Sequence, residues 1–420
     1  MTGARDGEPV PSSVTAAPQE MGAPARPLAG AGTLIALGVG WLGTQVFWAF
    51  NTGTMPLFLK GYTDSKFSIS LVLSLAGVSG CVVGPVIGYL SDRTVSRFGR
   101  RRPYIVSGML GAALLLLALS HAETFAAVVA LAVVMYGAIN IAQAPYLSLL
   151  PDVTPSHQRS TASGVMNLVG SLGLIAYFAG SAVLWERHPS VVFVLVALVL
   201  VGAMLVPVTL VREPAAVPSP SGSGFRAHLR SLRRERPLLT YFAASSCCWL
   251  GHWIAVTFFT LFVVEELGVA EGSSQYVPLV FGLSATVATL PLGMLGDRVG
   301  RKRLLCWLVA AWLVVAIATA FIQTLPQALL AAALTAIPFA GLMAVGYALM
   351  LDLIPPQRTA EFVGLSFIPG AVPQIIGPLL GGLLIDTLGY RAIFPAAACA
   401  QLLGLIILRS VSSPPREPAA

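Results

Sequence analysis

Residues 293–303 read GMLGDRVGRKR and join two long apolar runs, at 275–296 and 304–323. These eleven positions hold four basic residues, three glycines and one aspartate. Each flanking run has about 20 residues, the length that an α-helix needs to cross the hydrocarbon core of a bilayer. The segment is therefore predicted to be a short charged loop between two membrane-spanning helices.

The rest of the chain repeats this alternation of apolar runs and short basic segments. Its 420 residues are 56% hydrophobic and only 10% charged, whereas soluble domains carry about 25% charged residues. A water-soluble enzyme of ordinary composition is excluded, because such a chain cannot cover its surface with polar groups. The runs are continuous and do not alternate at every second residue, which indicates helices and not the strands of a membrane barrel.

Twelve apolar runs are long enough to span a membrane, and they predict an all-α integral membrane fold with two pseudo-symmetric six-helix bundles. We expect a disordered cytoplasmic tail without a signal peptide at 1–28, bundles at 29–211 and 239–410, a cytoplasmic linker at 212–238 and a tail at 411–420. The linker ends in the basic stretch FRAHLRSLRRERP, residues 225–237, which is either a helix lying on the anionic inner leaflet or a solvated loop. The predicted spans are 29–59, 67–91, 104–121, 124–150, 162–185, 190–211, 239–264, 275–296, 304–323, 326–354, 363–387 and 391–409.

The basic residues predict the orientation. Of the 25 Lys and Arg residues, 21 lie in the N-terminal tail and in the segments on the same side of the membrane. The opposite loops hold only Lys60, Lys66, Arg187 and Arg391. Because cytoplasmic loops carry the excess of positive charge, both termini are predicted to be cytoplasmic, in a plasma (inner) membrane.

Two motifs recur along the chain and predict a duplicated six-helix unit. Asp92 and Asp297, at the ends of spans 2 and 8, are 205 positions apart, and each precedes a run of arginines. The pairs Gln158-Arg159 and Gln357-Arg358, after spans 4 and 10, are 199 positions apart. Two correspondences at nearly one offset indicate an internal repeat, as in many secondary transporters.

The pattern G-x-x-x-D-R-x-G-R-K-R at 293–303 resembles the loop motif of the major facilitator superfamily, with an expanded first copy at 91–103. That first copy, SDRTVSRFGRRRP, is similar to the loop of the sucrose/maltose-type sugar:proton symporters among the glycoside–pentoside–hexuronide relatives. The superfamily resemblance covers the whole chain and implies alternating-access transport, with a cavity lined by spans 1, 4, 7 and 10 and by residues of spans 5 and 11.

The loop charges have two interpretations. Asp92 is placed to cap the start of span 11, and Asp297 the start of span 5, because helix N-termini carry partial positive charge. The arginines that follow would pair with acidic residues at the ends of spans 4 and 10, hold the two halves together on the cytoplasmic side and release them when that side opens. Alternatively, the arginines only determine topology. The predicted gating residues are Gly88, Asp92, Arg93, Arg100, Arg101, Asp152, Arg159, Gly293, Asp297, Arg298, Arg301, Asp352 and Arg358.

Polar side chains within the spans predict a cavity, because exposing them to lipid is costly. Several recur at helical spacing, so each set shares one helix face. Alternatively, each hydrogen-bonds a neighbouring helix and serves packing. The candidate substrate-binding residues are Gln45, Trp48 and Asn51 on span 1, Tyr136, Asn140 and Gln143 on span 4, Asn167 on span 5, Trp249 and His252 on span 7, Tyr347 on span 10 and Gln374 on span 11.

Neutral amides, hydroxyls and indole rings suit an uncharged sugar or glycoside, because amides bond hydroxyl groups and rings stack on sugar faces. They also suit an amphipathic drug exported by proton-driven efflux. His252 is the only titratable side chain near the middle of a span. Either it couples transport to protons, or a carboxylate at a span end does, or the protein is a facilitator. A histidine in a span can also simply bond a neighbouring helix.

Other classes have less support. The five cysteines lie inside apolar runs without metal-ligand spacing, and the chain has no nucleophile–base pair or phosphate-binding glycine loop. We therefore predict no enzyme activity, cofactor, metal or disulfide, and no nucleic-acid partner. The predicted partners of this expected monomer are a small-molecule substrate, the lipid bilayer and, as one option, protons. A fixed-pore channel and a non-transporting receptor with this fold stay open.

Overall fold

The computed structural model describes residues 28–94, 96–155, 158–213, 236–353 and 368–411. This part of the chain contains twelve helices long and apolar enough to cross a membrane, which confirms the predicted all-α fold and span count. The tail at 1–27, most of the linker at 212–238 and the C-terminal tail from 412 lie outside the described residues. The helices are α1 Ala31–Lys60, α2 Lys66–Arg93, α3 Arg102–Leu119, α4 Phe125–Val153, α5 Arg159–Arg187, α6 Pro189–Leu210, α7 Arg236–Glu265, α8 Tyr276–Val299, α9 Arg301–Thr319, α10 325–353, α11 Ile368–Leu388 and α12 Ile393–Ser410.

The helices pack as two groups. In the first half, α1 packs on α5 and α6, and α4 packs on α2 and α3. In the second half, α7 packs on α11 and α12, α10 on α8 and α9, and α9 on α12. The main contacts between the halves are made by α2 with α11 and by α5 with α8. This arrangement is the pair of six-helix bundles that the sequence repeat predicts.

Structural equivalents in the two halves lie close to 200 positions apart. Asp152 and Asp352 each accept an arginine, and the carbonyls of Val211 and Val411 each accept a basic side chain from the start of α3 or α9. Gly99 and Gly300, just before those helices, both have a φ of 102°, a conformation that side chains with a Cβ rarely adopt. The duplication therefore extends to backbone conformation.

Two of the helices that carry candidate site residues are interrupted by a π-helical turn. Residues Phe50–Thr54 form one in α1, and Leu342–Gly346 form one in α10. Such turns leave the regular i→i−4 bonding and occur frequently at functional sites. The first contains Asn51 and the second immediately precedes Tyr347, so both lie beside predicted cavity residues.

The two ends of the molecule differ. We call the end with residues 93–102 and 299–301 the loop-motif end, and the end with residues 61–65, 266–270 and 389 the far end. At the far end, a Cβ added to Gly382 of α11 would lie 2.5 Å from the carbonyl oxygen of Lys66 on α2. Near mid-span, a Cβ at Gly77 would lie 2.8 Å from Ile375. Backbones approach this closely only where glycine is present.

Toward the loop-motif end the described residues of the same helix pair no longer meet. A Cβ added to Gly84 or Gly88 of α2 would meet no described atom within 4 Å. The pair α5 and α8 shows the same trend, since a Cβ at Gly282 would lie 2.6 Å from Leu174, whereas one at Gly293 would meet no described atom within 4 Å. The described residues of the two halves are therefore in contact at the far end and not at the loop-motif end, where residues 354–367 lie outside the described ranges.

Candidate functional site

A hydrogen-bonded polar cluster joins α1, α2 and α4 inside the first half. The hydroxyl of Tyr136 donates to the Asn51 side chain, and both residues are buried. The Asn140 amide donates to the Ser79 hydroxyl at 3.3 Å and to the Tyr136 carbonyl at 2.8 Å. These bonds place predicted residues of two helices at one depth, and they add Ser79, which the sequence patterns did not single out.

A second pair extends this polar cluster along the same two helices. The indole N–H of Trp48 donates to the Gln143 side chain at 3.1 Å. Both residues are only partly buried, unlike Asn51 and Tyr136. Among the described residues, the side chains of this cluster form hydrogen bonds only with neutral groups. The cluster can therefore offer amide, hydroxyl and indole groups to a ligand, with no charge of its own.

Residues of the second half face this region across the contact between α2 and α11. The Gln374 side chain packs beside Gly77, 3.5 Å from a Cβ added there. Gly80 is three residues later on the same face of α2, and a Cβ added to it would lie 3.6 Å from the side-chain oxygen of Asn140. The Trp249 indole lies 4.0 Å from a Cβ added to Gly370, also on α11. The structure thus brings Gln374 close to the first-half cluster.

Three other candidates lie further from the cluster. The Cγ of Gln45 packs 3.1 Å from a Cβ added to Gly170 of α5. Asn167 is exposed, and its side-chain amide donates to the Ser163 carbonyl on the same helix, α5. Leu174, seven residues later on the same face of α5, contacts α8. Tyr347 is 46% exposed. None of the hydrogen bonds described for the cluster includes these three residues.

His252 has a different environment from the one expected. Its ring lies within 6.0 Å, centroid to centroid, of the rings of Trp249, Trp253, Phe281, Trp312 and Phe339, all in the second half. It also lines a small enclosed cavity that extends to α12 at Gln401. The described ring contacts of His252 are thus all with the second bundle.

The loop-motif arginines form ion pairs within each half, which corrects part of the gating prediction. Arg100 and Arg101 reach Asp152 at 2.7 Å and 2.6 Å, as expected. Arg301 reaches Asp352 at 2.6 Å, and also Asp297 at 2.9 Å. Both sets of pairs therefore join helices of one half, and they do not bridge the two halves.

The described contacts do not include the expected cap of α5 by Asp297. The Asp297 carboxylate instead accepts hydrogen bonds from Arg301, four residues later in the same half. Arg93 lies over the Tyr89 ring at 4.1 Å, and Arg298 is exposed. The side chains of Asp92 and Arg159, and all of Arg358, lie outside the described residues. The cap of α11 by Asp92 therefore stays a prediction.

A helix cap between the halves does form, at the far end. The Asp386 carboxylate, at the end of α11, accepts hydrogen bonds from the backbone N–H groups of Lys66 and Phe67 at 2.8 Å and 3.0 Å, and from the Ser65 hydroxyl at 2.8 Å. These groups begin α2, where unpaired N–H groups and the helix dipole favour a carboxylate. This contact mirrors the one predicted for Asp92 on the same two helices.

Further ion pairs and hydrogen bonds join the two halves at the far end. Lys66 pairs with Glu265 of α7 at 3.0 Å. The Trp185 indole donates to Glu271 at 2.9 Å, and the Gly272 N–H donates to Glu186 at 2.8 Å. These contacts have a signal in the sequence: the far-end loops of the first half carry lysines, and the facing loop of the second half carries three glutamates.

Replacing Asp386 with alanine is expected to weaken far-end closure. Loss of an N-terminal cap costs about 1–2 kcal/mol, which corresponds to about a tenfold shift toward separation of the far ends. Spin labels at His188 and Leu388, both exposed on opposite halves, measure that distance. Asp64→Ala, which removes a nearby exposed carboxylate, is the control and should leave the distances unchanged. Equal distance distributions in Asp386→Ala and the wild type would contradict this role.

Two homologous helical bundles that touch at one end and enclose polar side chains define a multi-pass membrane transporter. The family model for the Major Facilitator Superfamily matches residues 37–278 and 241–420, and the chain belongs to this superfamily. The fold and family predicted from the loop motif are thus confirmed.

Curated relatives fall into two groups. Sucrose transport protein SUC3 of Arabidopsis thaliana is 28% identical over 168 residues, which cover 34% of this chain and 28% of that protein. The chain therefore aligns with less than a third of the length of this relative. Multidrug resistance protein MdtG of Yersinia enterocolitica is 24% identical over 387 residues, which cover 88% of this chain and 91% of that protein.

Solved structures agree on the fold. The nucleoside transporter NupG superposes with a TM-score of 0.74 at 13% identity, covering 91% of this chain and 99% of that chain. A bacterial homolog of the human lysosomal transporter Spinster, inward-facing and unoccupied, has a TM-score of 0.75 at 13% identity and covers 92% and 98%.

Proposed function

We propose that this protein is a secondary active transporter of a small neutral sugar or glycoside, working by alternating access. The observation that carries the proposal is the uncharged cluster on α1, α2 and α4, close to where the two halves begin to separate. We assign substrate binding to Trp48, Asn51, Asn140 and Gln143, with Gln374 from the second half.

The chemistry of the cluster supports a polyhydroxylated ligand. Each sugar hydroxyl both donates and accepts, and an amide side chain offers both functions in one group. The Trp48 indole is partly exposed and anchored through its N–H to Gln143, so its ring face is held in a fixed orientation. Apolar sugar faces stack on such rings. The partial similarity to sucrose transporters agrees with this assignment.

The proposal includes location and direction. The distribution of arginines favours a plasma membrane with the loop-motif end in the cytoplasm. The separated loop-motif end would then correspond to a state that is open to the cytoplasm, in which an imported substrate leaves.

Asn140→Ala and Gln143→Leu test the substrate assignment. Each is expected to lower accumulation of a labelled disaccharide in vesicles by about tenfold, because an unpaired hydroxyl at the site costs about 1–3 kcal/mol. Thr209→Ala, a hydroxyl bonded to its own helix on α6, is the control. Disaccharide-induced thermal stabilisation of the purified variants separates lost binding from lost folding. Wild-type accumulation in both cluster variants would remove α4 from the site.

Export of amphipathic compounds is the second candidate, because the similarity to MdtG extends over 88% of this chain. Amides and indole rings also accept such ligands. Expression that raises resistance to several unrelated toxic compounds, together with no disaccharide uptake, would favour export over import.

The coupling ion has its own test. A proton-coupling group must face the cavity in at least one state, whereas the His252 ring is enclosed by aromatic rings of the second half. We therefore expect His252→Gln to keep the dependence of uptake on an imposed pH gradient. Its control is the wild type with the gradient collapsed by an ionophore. Loss of gradient dependence with uptake otherwise retained would assign coupling to His252.

A further inference from the structure

An open recess of about 690 Å³ lies at the loop-motif end of the second half, where α8 ends and α9 begins beside the end of α12. Four basic residues line it: Arg301, Lys302, Arg303 and Arg409. Two aspartates, Asp297 and Asp352, also line it but are engaged by Arg301. The recess is thus positively charged and separate from the proposed substrate site.

Among the described residues, two of the four basic side chains form neither a hydrogen bond nor an ion pair. Lys302 donates to the carbonyls of Arg409 and Val411 at 2.9 Å and 2.6 Å, at the end of α12. Within the described ranges, neither the Arg303 nor the Arg409 guanidinium forms an ion pair. These two groups therefore remain available to an anion.

The recess opens beside a lipid-exposed stripe of α9. Trp307 lines the recess and is 57% exposed, and it lies one turn after Arg303 on the same face. Val314, seven residues further along α9, is 62% exposed. Tryptophan is enriched where a membrane meets water. An anion in the recess would thus lie at headgroup level, with an apolar surface running below it.

The first half fills the equivalent position with its own carboxylate. Glu213, after α6, accepts hydrogen bonds from the N–H groups of Arg100, Arg101 and Arg102 at 2.8 Å, 3.1 Å and 3.0 Å. Two hundred positions later the sequence has Ser413, which lies outside the described residues and has no charge. Among the described residues, no carboxylate accepts a hydrogen bond from the backbone N–H groups that begin α9.

We infer that this recess binds the phosphate of an anionic phospholipid, with Arg303 and Arg409 contacting the headgroup and the acyl chains lying along Trp307 and Val314. Guanidinium groups bind phosphate through paired N–H donors. Basic pockets at the cytoplasmic ends of membrane helices bind such headgroups. A lipid, unlike free phosphate, uses both the charge and the adjacent apolar stripe.

The test measures lipid binding by the purified full chain in neutral detergent. Native mass spectrometry titrates phosphatidylglycerol and, separately, phosphatidylcholine of the same acyl chains. We expect one tight phosphatidylglycerol site, weakened about tenfold or more in Arg303→Ala/Arg409→Ala. The control Arg97→Ala/Arg187→Ala removes the same charge from exposed positions elsewhere and should bind as the wild type does.

Three outcomes would overturn the inference. Equally weakened phosphatidylglycerol binding in both double variants would show that the net charge of the protein attracts the lipid and that this recess does not bind it. Equal binding of phosphatidylcholine would remove the role of the anionic headgroup. Thermal stabilisation by inorganic phosphate alone, lost in Arg303→Ala/Arg409→Ala and not increased by the lipid, would assign the recess to a soluble anion. Circular dichroism of each variant confirms that it is folded.

Discussion

Replacing Gly382 with leucine is expected to prevent closure of the far end and to lower transport by about tenfold or more. A Cβ at this position would lie 2.5 Å from the Lys66 carbonyl oxygen and 2.7 Å from the Ser70 hydroxyl. The first of these is a backbone atom, so rotation of a side chain cannot relieve the clash. Overpacking of this kind costs about 1–3 kcal/mol, and the cost disappears only when α2 and α11 separate.

The distance between spin labels at His188 and Leu388 measures this effect. Gly382→Leu should shift most molecules to a longer far-end distance, with or without substrate. Gly202→Leu is the matched control, since Gly202 is exposed on α6 and a Cβ there meets no described atom within 4 Å. An unchanged short distance in Gly382→Leu would show that the far-end contact does not control closure.

Replacing Gly88 with leucine is expected to have the opposite effect on conformation and an equally large effect on transport. In the present state no described atom lies within 4 Å of a Cβ at Gly88, so the variant should fold normally. Alternating access requires α2 and α11 to meet at the loop-motif end in the other state. A leucine between them would block that state, and transport should fall about tenfold or more.

Labels at the exposed positions Arg97 and Arg298, on opposite halves, test this second prediction. The wild type with substrate should show two distance populations, and Gly88→Leu only the longer one. Gly202→Leu again serves as the control and should show both populations. Normal transport by Gly88→Leu would mean that the halves do not close through α2 at this end.

The two glycine predictions concern opposite ends of one helix pair. At the far end, Asp386 of α11 caps the start of α2. At the loop-motif end, the sequence predicts that Asp92 of α2 caps the start of α11. Because the helices are antiparallel, each can supply a carboxylate to the free N–H groups of the other. In each half of the transport cycle, one cap would break and the other would form. At least one of the two helix starts would therefore be capped in each state.

The fold could be predicted from the sequence because its signals are local. A run of about 20 apolar residues has one stable arrangement in a bilayer, a helix whose backbone bonds are satisfied internally. The helix starts at Ser65 and Thr124 also follow local rules, since each side chain accepts a backbone N–H three residues on. The loop motif that contains Asp297 and Arg301 indicated the family, because its residues are also close together in the sequence.

The site could be predicted only in part. Helical spacing grouped Trp48 with Asn51, and Tyr136 with Asn140, because residues three and four apart share a face whatever the face contacts. In the structure, both residues of span 1 form hydrogen bonds with span 4. Spacing does not say which neighbour that face meets. His252 satisfied the same pattern, yet its face meets α8, α9 and α10 within one bundle.

The sequence by itself determined the membrane fold, the duplication, the family and the polar faces of the helices. Only the tertiary structure decided that the described pairs of Arg100 and Arg301 with Asp152 and Asp352 lie within one half, and that Asp386 and Gly382 join the halves at the far end. Asp386 lies 320 positions from Lys66 in the chain. Contacts at such separation depend on how two bundles pack and on which end is closed, and no local pattern of residues encodes either.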